Sequence, residues 1–377
     1  MKTLLVVIDG LGDEPIPALG GNTPFSYASH KNIDYLAQHG LSGKVSICEN
    51  DFSPDSLGCT LRLLGVEQKD FPRNRAYLEL LANERDISEY EMVLRCNLVS
   101  IDAEGRLLSF NAQGLTQEEM QEASLIADEF HSNIEFIHLS YYRNLLIMDK
   151  KQELLTDCEV KPPHESVGEK IDDLLSEVCR ESLLLKNFIT ETRKLLSKFA
   201  RDGVEYMFYP WGPSERTAMK SFEERHRMKG AVVCAAEIIK GIALALSMTR
   251  PELLKATADV DTDICEKADA ALRLLKDNDF VFVHFNGSDE VSHRYDYLGK
   301  ADFITKIDKE FFGKLLSSNV GPLKLLVCGD HVTSSVSGRH TADKVPFVAG
   351  LINKNNEEVG SIKSYRDFTK FLFEGRS

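Results

Sequence analysis

Short, continuous apolar runs lie near both ends of the chain, and each stops abruptly at polar residues. Leu4-Leu5-Val6-Val7-Ile8 stops at Asp9-Gly10, while Phe280-Val281-Phe282-Val283-His284-Phe285 and Leu323-Lys324-Leu325-Leu326-Val327-Cys328 end in the same way. Runs this short and this apolar predict strands buried on both faces, as in parallel sheets. Asn32–Ala37 has helical spacing and closes at Gly40, and Ala301–Leu316 reads as a helix between the last two strands. Strand, helix, strand in that order predicts a parallel sheet covered on both faces.

Between these ends the pattern changes. Leu98–Ser109 reads as a hairpin around an Asp102–Gly105 turn, Gln117–Phe130 as an amphipathic helix, Tyr142–Met148 as a strand, and Val167–Lys198 as largely helical and charged. The chain is therefore expected to be α/β. Residues 1–70 and 205–377 would form a core with a parallel-rich sheet under helices on both faces. A smaller α+β domain, 71–204, would be inserted into it.

At 377 residues the chain is long for one hydrophobic core, which agrees with two domains. A net charge of −14 argues against a general nucleic-acid surface, since phosphate backbones need basic patches. It leaves room for a small anion held by a few arginines in a cleft. The eight cysteines contain no CxxC pair and read as reduced thiols. Residues 1–8 lack the apolar length of a signal peptide, and Ile238–Met248 is too short to span a bilayer. A cytoplasmic protein with no membrane or nucleic-acid partner is expected; the sequence leaves its oligomeric state open.

Three polar clusters follow the predicted strands, where open α/β sheets bind ligands. The first is Asp9-Gly10. The second is Asp289 with His293, whose spacing puts both on one face of a helical turn. The third is Asp330-His331, with His340 after a loop containing Gly338. Singly, each has an ordinary reading: a turn, a surface pair, a helix cap. Together they offer three carboxylates and three imidazoles, a donor mix suited to zinc, manganese or magnesium. Ser56, in Pro54-Asp55-Ser56-Leu57-Gly58, precedes an apolar helix-like segment. It reads either as a helix N-cap or as a hydroxyl nucleophile activated by a metal.

These residues resemble the archaeal-type branch of cofactor-independent phosphoglycerate mutases, within the alkaline phosphatase superfamily. The resemblance runs through Ile8–Pro15, Gly21-Asn22-Thr23-Pro24 and Asn32-Ile33-Asp34. It continues in Arg95-Cys96-Asn97-Leu98-Val99, Trp211-Gly212, Ser221-Phe222 and Lys229-Gly230-Ala231-Val232, and in the two metal motifs. It implies an alkaline-phosphatase-like core and two divalent cations, manganese by family habit. One cation would lie on Asp9, Ser56, Asp330 and His331, the other on Asp289, His293 and His340. It also implies a glycolytic isomerase that moves the phosphoryl group of 3-phosphoglycerate to the 2-position through a phosphoserine at Ser56, with the inserted domain excluding water. Arg75 and Arg95 would be the catalytic and substrate-binding arginines, with Arg216, Lys229 and His164 as further substrate contacts.

The chain departs from the family pattern around the nucleophile (Asp55-Ser56-Leu57), beside Arg75 (Asn74, Ala76), at Pro213-Ser214 and at His226-Arg227. These positions surround the expected phosphate and glycerate rather than the metals. A phosphatase or another phosphomutase acting on a different phosphomonoester is therefore the alternative expectation.

Overall fold

The computed structural model describes residues 1–48, 54–130, 133–150, 155, 158–353 and 360–374. Its strands are β1 (Lys2–Ile8), β2 (Leu41–Val45), β3 (Glu91–Ile101), β4 (Leu107–Ser109), β5 (Glu135–Ser140), β6 (Arg143–Asp149), β7 (Glu205–Glu215), β8 (Gly230–Val233), β9 (Phe280–Phe285), β10 (Leu323–Cys328), β11 (Val332–Thr333), β12 (His340–Thr341) and β13 (Val345–Ile352). The helices that matter below are α1 (Lys31–Gln38), α2 (Ser56–Leu63), α3 (Ala76–Ala82), α4 (Gln117–Phe130), α5 (Leu183–Leu196), α6 (Ile264–Asp277), α7 (Gly287–His293), α8 (Tyr297–Ile307) and α9 (Tyr365–Phe373). By packing, the chain divides into two units, Met1–Phe71 with Met219–Ser377, and Pro72–Ala218.

The first unit is built on a six-stranded sheet in the order β2-β13-β10-β1-β9-β8. The strands β10, β1, β9 and β8 run parallel, and β13 is antiparallel to both β10 and β2. The apolar run Leu4–Ile8 makes a strand because both of its faces are covered. Leu4, Val6 and Ile8 enter one core with Val281, Val283 and Ile304. On the opposite face the Thr3 hydroxyl donates to the Leu372 carbonyl of α9 at 3.4 Å. The fold class is α/β, with a parallel-rich sheet.

Register decides where the chemistry lies. Val7 pairs with Cys328 on one side and with His284 on the other, so β10, β1 and β9 end at one level. Asp9, Asp330 and the start of α7 therefore leave from a single edge of the sheet, as the strand-end rule requires. The helix expected over Ala301–Leu316 is instead α8, a wider π-turn over Asp308–Phe312, and a last turn at Gly313–Ser317. Asp308 accepts from the Asn32 and Ile33 amides at 3.2 and 2.8 Å, satisfying donors at the start of α1.

The second unit has its own antiparallel sheet and its own core, which includes Leu94, Leu98, Phe136, Phe188 and Phe208. Strand β3 is its spine, paired along most of its length with β7 and on its other edge with β6 and β4. That pairing corrects the expected boundary. The return to the core placed at residue 205 comes at Met219, because Glu205–Glu215 is held to β3 from Met92 to Ile101.

Candidate metal centre

The loop after β1 needs a glycine. Gly10 has φ +62°, and a Cβ there would lie 2.5 Å from Thr333 Oγ1. This close approach lets the Gly10 amide donate to Asp330 Oδ1 at 3.1 Å, which joins the first and third polar clusters. Lys300 of α8 secures the same two loops. Fully buried, it donates to Gly12 O at 3.0 Å, Thr333 O at 2.8 Å and Asp13 Oδ2 at 2.9 Å. A buried ammonium surrounded by three oxygens is compensated rather than stranded.

Helix α2 presents Ser56, though not as its cap. Asp55 is the N-cap, and its Oδ1 accepts from the Gly58 amide at 2.9 Å. The serine therefore occupies the first helical position with its hydroxyl released from capping. Ser56 Oγ lies 3.2 Å from His331 Nε2 and donates to Asp9 Oδ2 at 3.4 Å.

Around that hydroxyl the structure gathers the other six residues expected as metal ligands. His331 Nε2 is 3.2 Å from Asp9 Oδ1 and 3.5 Å from Asp330 Oδ2. Asp289 lies 3.2 Å from His293 Nε2 and 3.2 Å from His340 Nε2, and the two Nε2 atoms are 3.0 Å apart. The three histidines share one feature: each has its Nδ1 beside an oxygen and its Nε2 turned toward the carboxylates. Those oxygens are Gly338 O for His293 at 2.8 Å, Pro54 O for His340 at 2.8 Å, and Thr333 Oγ1 for His331 at 3.2 Å. Thr333 in turn donates to Asp289 Oδ1 at 2.6 Å. Ligating imidazoles are held in this way by an oxygen on the far nitrogen.

The electrostatics point the same way. Burial first, then the nearby Asp330 and Asp289 carboxylates, push the Asp9 carboxyl well above its usual range. Burial also acts to raise Asp289, but hydrogen bonds from His293 and His340 win and hold it well below. Its hydrogen bond to Asp289 raises the His293 imidazole to about 9. His340 is raised as well, its contact with Asp289 outweighing burial. Burial lowers His331. Asp9 Oδ1 and Asp330 Oδ2 are buried and have no hydrogen-bond partner among the described residues. Buried carboxylate oxygens crowded together without donors are costly, and a divalent cation is the group that relieves them. The donor set fits: Asp9, His284 and Asp330 offer one group of atoms, and Asp289, His331 and His340 another, each within 4.8 Å of one another.

His284 was not singled out in the sequence because it sits inside the apolar run of β9. The signal was an imidazole in an otherwise hydrophobic strand, five residues before Asp289. Burial lowers it to about 4.

The residues expected to bind substrate separate into groups. In the second unit, Arg75 and Arg95 share the buried Glu79, at 2.7 and 2.9 Å from their Nε atoms. Arg95 pairs with Trp211 across β3 and β7 and lies 4.2 Å over its ring; His164 meets the same indole edge-on at 6.0 Å between centroids. Arg216 instead pairs with Asp86 at 2.9 Å and is half exposed. Lys229 does not join the metal centre. It precedes Gly230, which pairs with Phe280 at the beginning of β9, so it sits at the opposite edge of the sheet. His226 and Arg227 serve packing: His226 stacks on Phe373 at 3.8 Å beside the Leu64 carbonyl, and Arg227 ends its helix with φ 56°.

The family model described as the metalloenzyme superfamily matches residues 1–366. A 2,3-bisphosphoglycerate-independent phosphoglycerate mutase 2 of Methanothermobacter thermautotrophicus is 28% identical over 98% of this chain and 92% of its own. A 2,3-bisphosphoglycerate-independent phosphoglycerate mutase of Methanopyrus kandleri is 29% identical over 95% of this chain and 89% of its own. Among solved structures, a Pyrococcus horikoshii protein superimposes with a TM-score of 0.75 at 24% identity, covering 98% of this chain and 92% of that one. The cofactor-independent phosphoglycerate mutase of Thermoplasma acidophilum gives 0.60 at 22% identity over the whole of both chains. These two likenesses bear on the fold. With its family model running from the first strand into the last helix, the chain belongs to the metalloenzyme superfamily.

Proposed function

We propose that this chain is a 2,3-bisphosphoglycerate-independent phosphoglycerate mutase, interconverting 3-phosphoglycerate and 2-phosphoglycerate through Ser56. The observation that carries the reading is the uncapped Ser56 hydroxyl, set between Asp9 and His331 at the start of α2. Archaeal relatives of nearly the same length bear that mutase name and supply the substrate class.

Asp9, Ser56, Asp330 and His331 would hold one divalent cation, and Asp289, His293 and His340 a second. Manganese is the proposed metal, with zinc and magnesium admitted by the same donors. Bound there, the cations would neutralise charge on the attacking and departing oxygens and make the serine hydroxyl easier to deprotonate. Ser56 Oγ would take the phosphoryl group as its bond to the 3-oxygen of the substrate breaks. The serine proton would pass to the departing 3-oxygen; Ser56 would then give the phosphoryl group to the 2-hydroxyl of the glycerate and take up the proton that this hydroxyl releases. Arg75 and Arg95, held by Glu79, are the groups proposed to bind the anionic glycerate.

Rapid quenching after mixing with manganese and 3-phosphoglycerate, followed by peptide mass spectrometry, tests the role of Ser56. The proposal expects one phosphoryl group on the peptide containing Ser56, and none in Ser56→Ala. A modified peptide elsewhere, or turnover undiminished in Ser56→Ala, would contradict it.

A further inference from the structure

His284 is a buried imidazole with no hydrogen bond on either nitrogen among the described residues. A buried polar atom left unsatisfied is costly, so two on one ring call for an explanation. Parity along the sheet places the ring. Val281, Val283 and Phe285 enter the core with Leu4, Val6 and Ile8, which turns His284 to the other face, beside its partner Val7. Two residues beyond Val7 stands Asp9, whose Oδ2 lies 3.3 Å from His284 Nε2. The donor atoms of His284, Asp9 and Asp330 all lie within 4.8 Å of one another, and Asp9 and Asp330 each keep an unpartnered buried oxygen. Carboxylate oxygens of Asp9 and Asp330 gathered beside an orphaned imidazole nitrogen have one simple common partner, a divalent cation.

We propose that His284 Nε2 is a further ligand of the cation held by Asp9 and Asp330. The inference rests on the metal-centre reading above and adds a nitrogen donor from inside the sheet. Asp9 and Asp330 stand on loops; His284 stands on a strand paired on both sides, with β1 and β8. It would fix the depth of that cation relative to the sheet while the helix carrying Ser56 approaches from outside.

A zinc-loaded crystal of the wild-type protein, with the metal located by anomalous scattering, tests this directly. The expected result is a zinc peak about 2.1 Å from His284 Nε2, the zinc–imidazole bond length. Zinc on Asp9 and Asp330 with His284 outside bonding distance overturns the inference and leaves the metal centre standing. Calorimetric zinc titration of His284→Gln, with apo-protein circular dichroism as the check on folding, gives the second readout. One class of site weakened about tenfold or more is expected. Unchanged affinity at every site overturns the inference. If the wild-type protein binds no divalent cation, the metal-centre reading falls and this one falls with it.

Discussion

Single side chains decide the chemistry of this molecule, and Asp55 shows how. Its carboxylate takes the capping role that a serine in that position would otherwise fill, so Ser56 keeps its hydroxyl for the cluster. Replacing Asp55 by alanine should cost about 1 kcal/mol of stability, read from urea unfolding, because the cap is lost. Lys267 makes a second prediction at this scale. Its ammonium is buried and donates to the His284 carbonyl at 3.0 Å, and burial lowers it to about 8. The folded value lies below the unfolded one, so the unfolded chain binds more protons between pH 8 and about 10.4. The penalty is therefore fully present below pH 8 and is relieved as the pH rises through that window. Stability measured relative to Lys267→Met should rise between pH 8 and 10; a flat difference would mean the amine is not desolvated in this way.

At the scale of elements, strand β3 and helix α3 build a cationic site from one shared anion. Glu79 is 2% exposed, and burial works to raise it, yet Arg95 and Arg75 hold it below its usual range. Removing one member of such a buried set leaves the others uncompensated, at a cost of about 3–5 kcal/mol. Glu79→Leu should therefore lower the denaturation midpoint strongly, whereas Glu79→Asp should keep much of the stability and show its defect in KM for 3-phosphoglycerate. An unchanged midpoint in Glu79→Leu would refute the arrangement. The apolar runs ending at Ile8, Phe285 and Cys328 were legible as strands because burial on both faces leaves few polar positions in the pattern. Three of the four strand-end features could be read from spacing for the same reason. The fourth, His284, was hidden by that very rule: its strand looked complete as a hydrophobic run. Lys229 was misplaced because a motif fixes neighbours in sequence but not which end of a parallel strand they occupy. Strand β7 fell on the wrong side of the expected boundary since nothing local shows that it pairs with β3, a hundred residues earlier.

Taken as a whole, each unit of the molecule has a hydrophobic core of its own, and among the described residues only the first contains the metal-type cluster. Among the described residues no helix is long and apolar enough to cross a membrane. Cation binding should act on the first unit as a ligand acts on any folded state that binds it in preference to the unfolded chain. At a free concentration one hundred times Kd the gain is about 2.7 kcal/mol per site. Melting of chelator-treated protein should therefore shift upward on adding manganese, and the shift should be smaller in Asp9→Ala, which keeps the donors of the second cation. The fate of the phosphoryl group separates a mutase from a phosphatase. A phosphorus NMR time course of the manganese-loaded protein with 3-phosphoglycerate follows that fate in a single tube. The 3-phosphoglycerate signal should give way to 2-phosphoglycerate with little inorganic phosphate, and nothing should change for Ser56→Ala. Inorganic phosphate as the main product, or an unchanged spectrum from metal-loaded wild-type protein, would contradict the mutase reading.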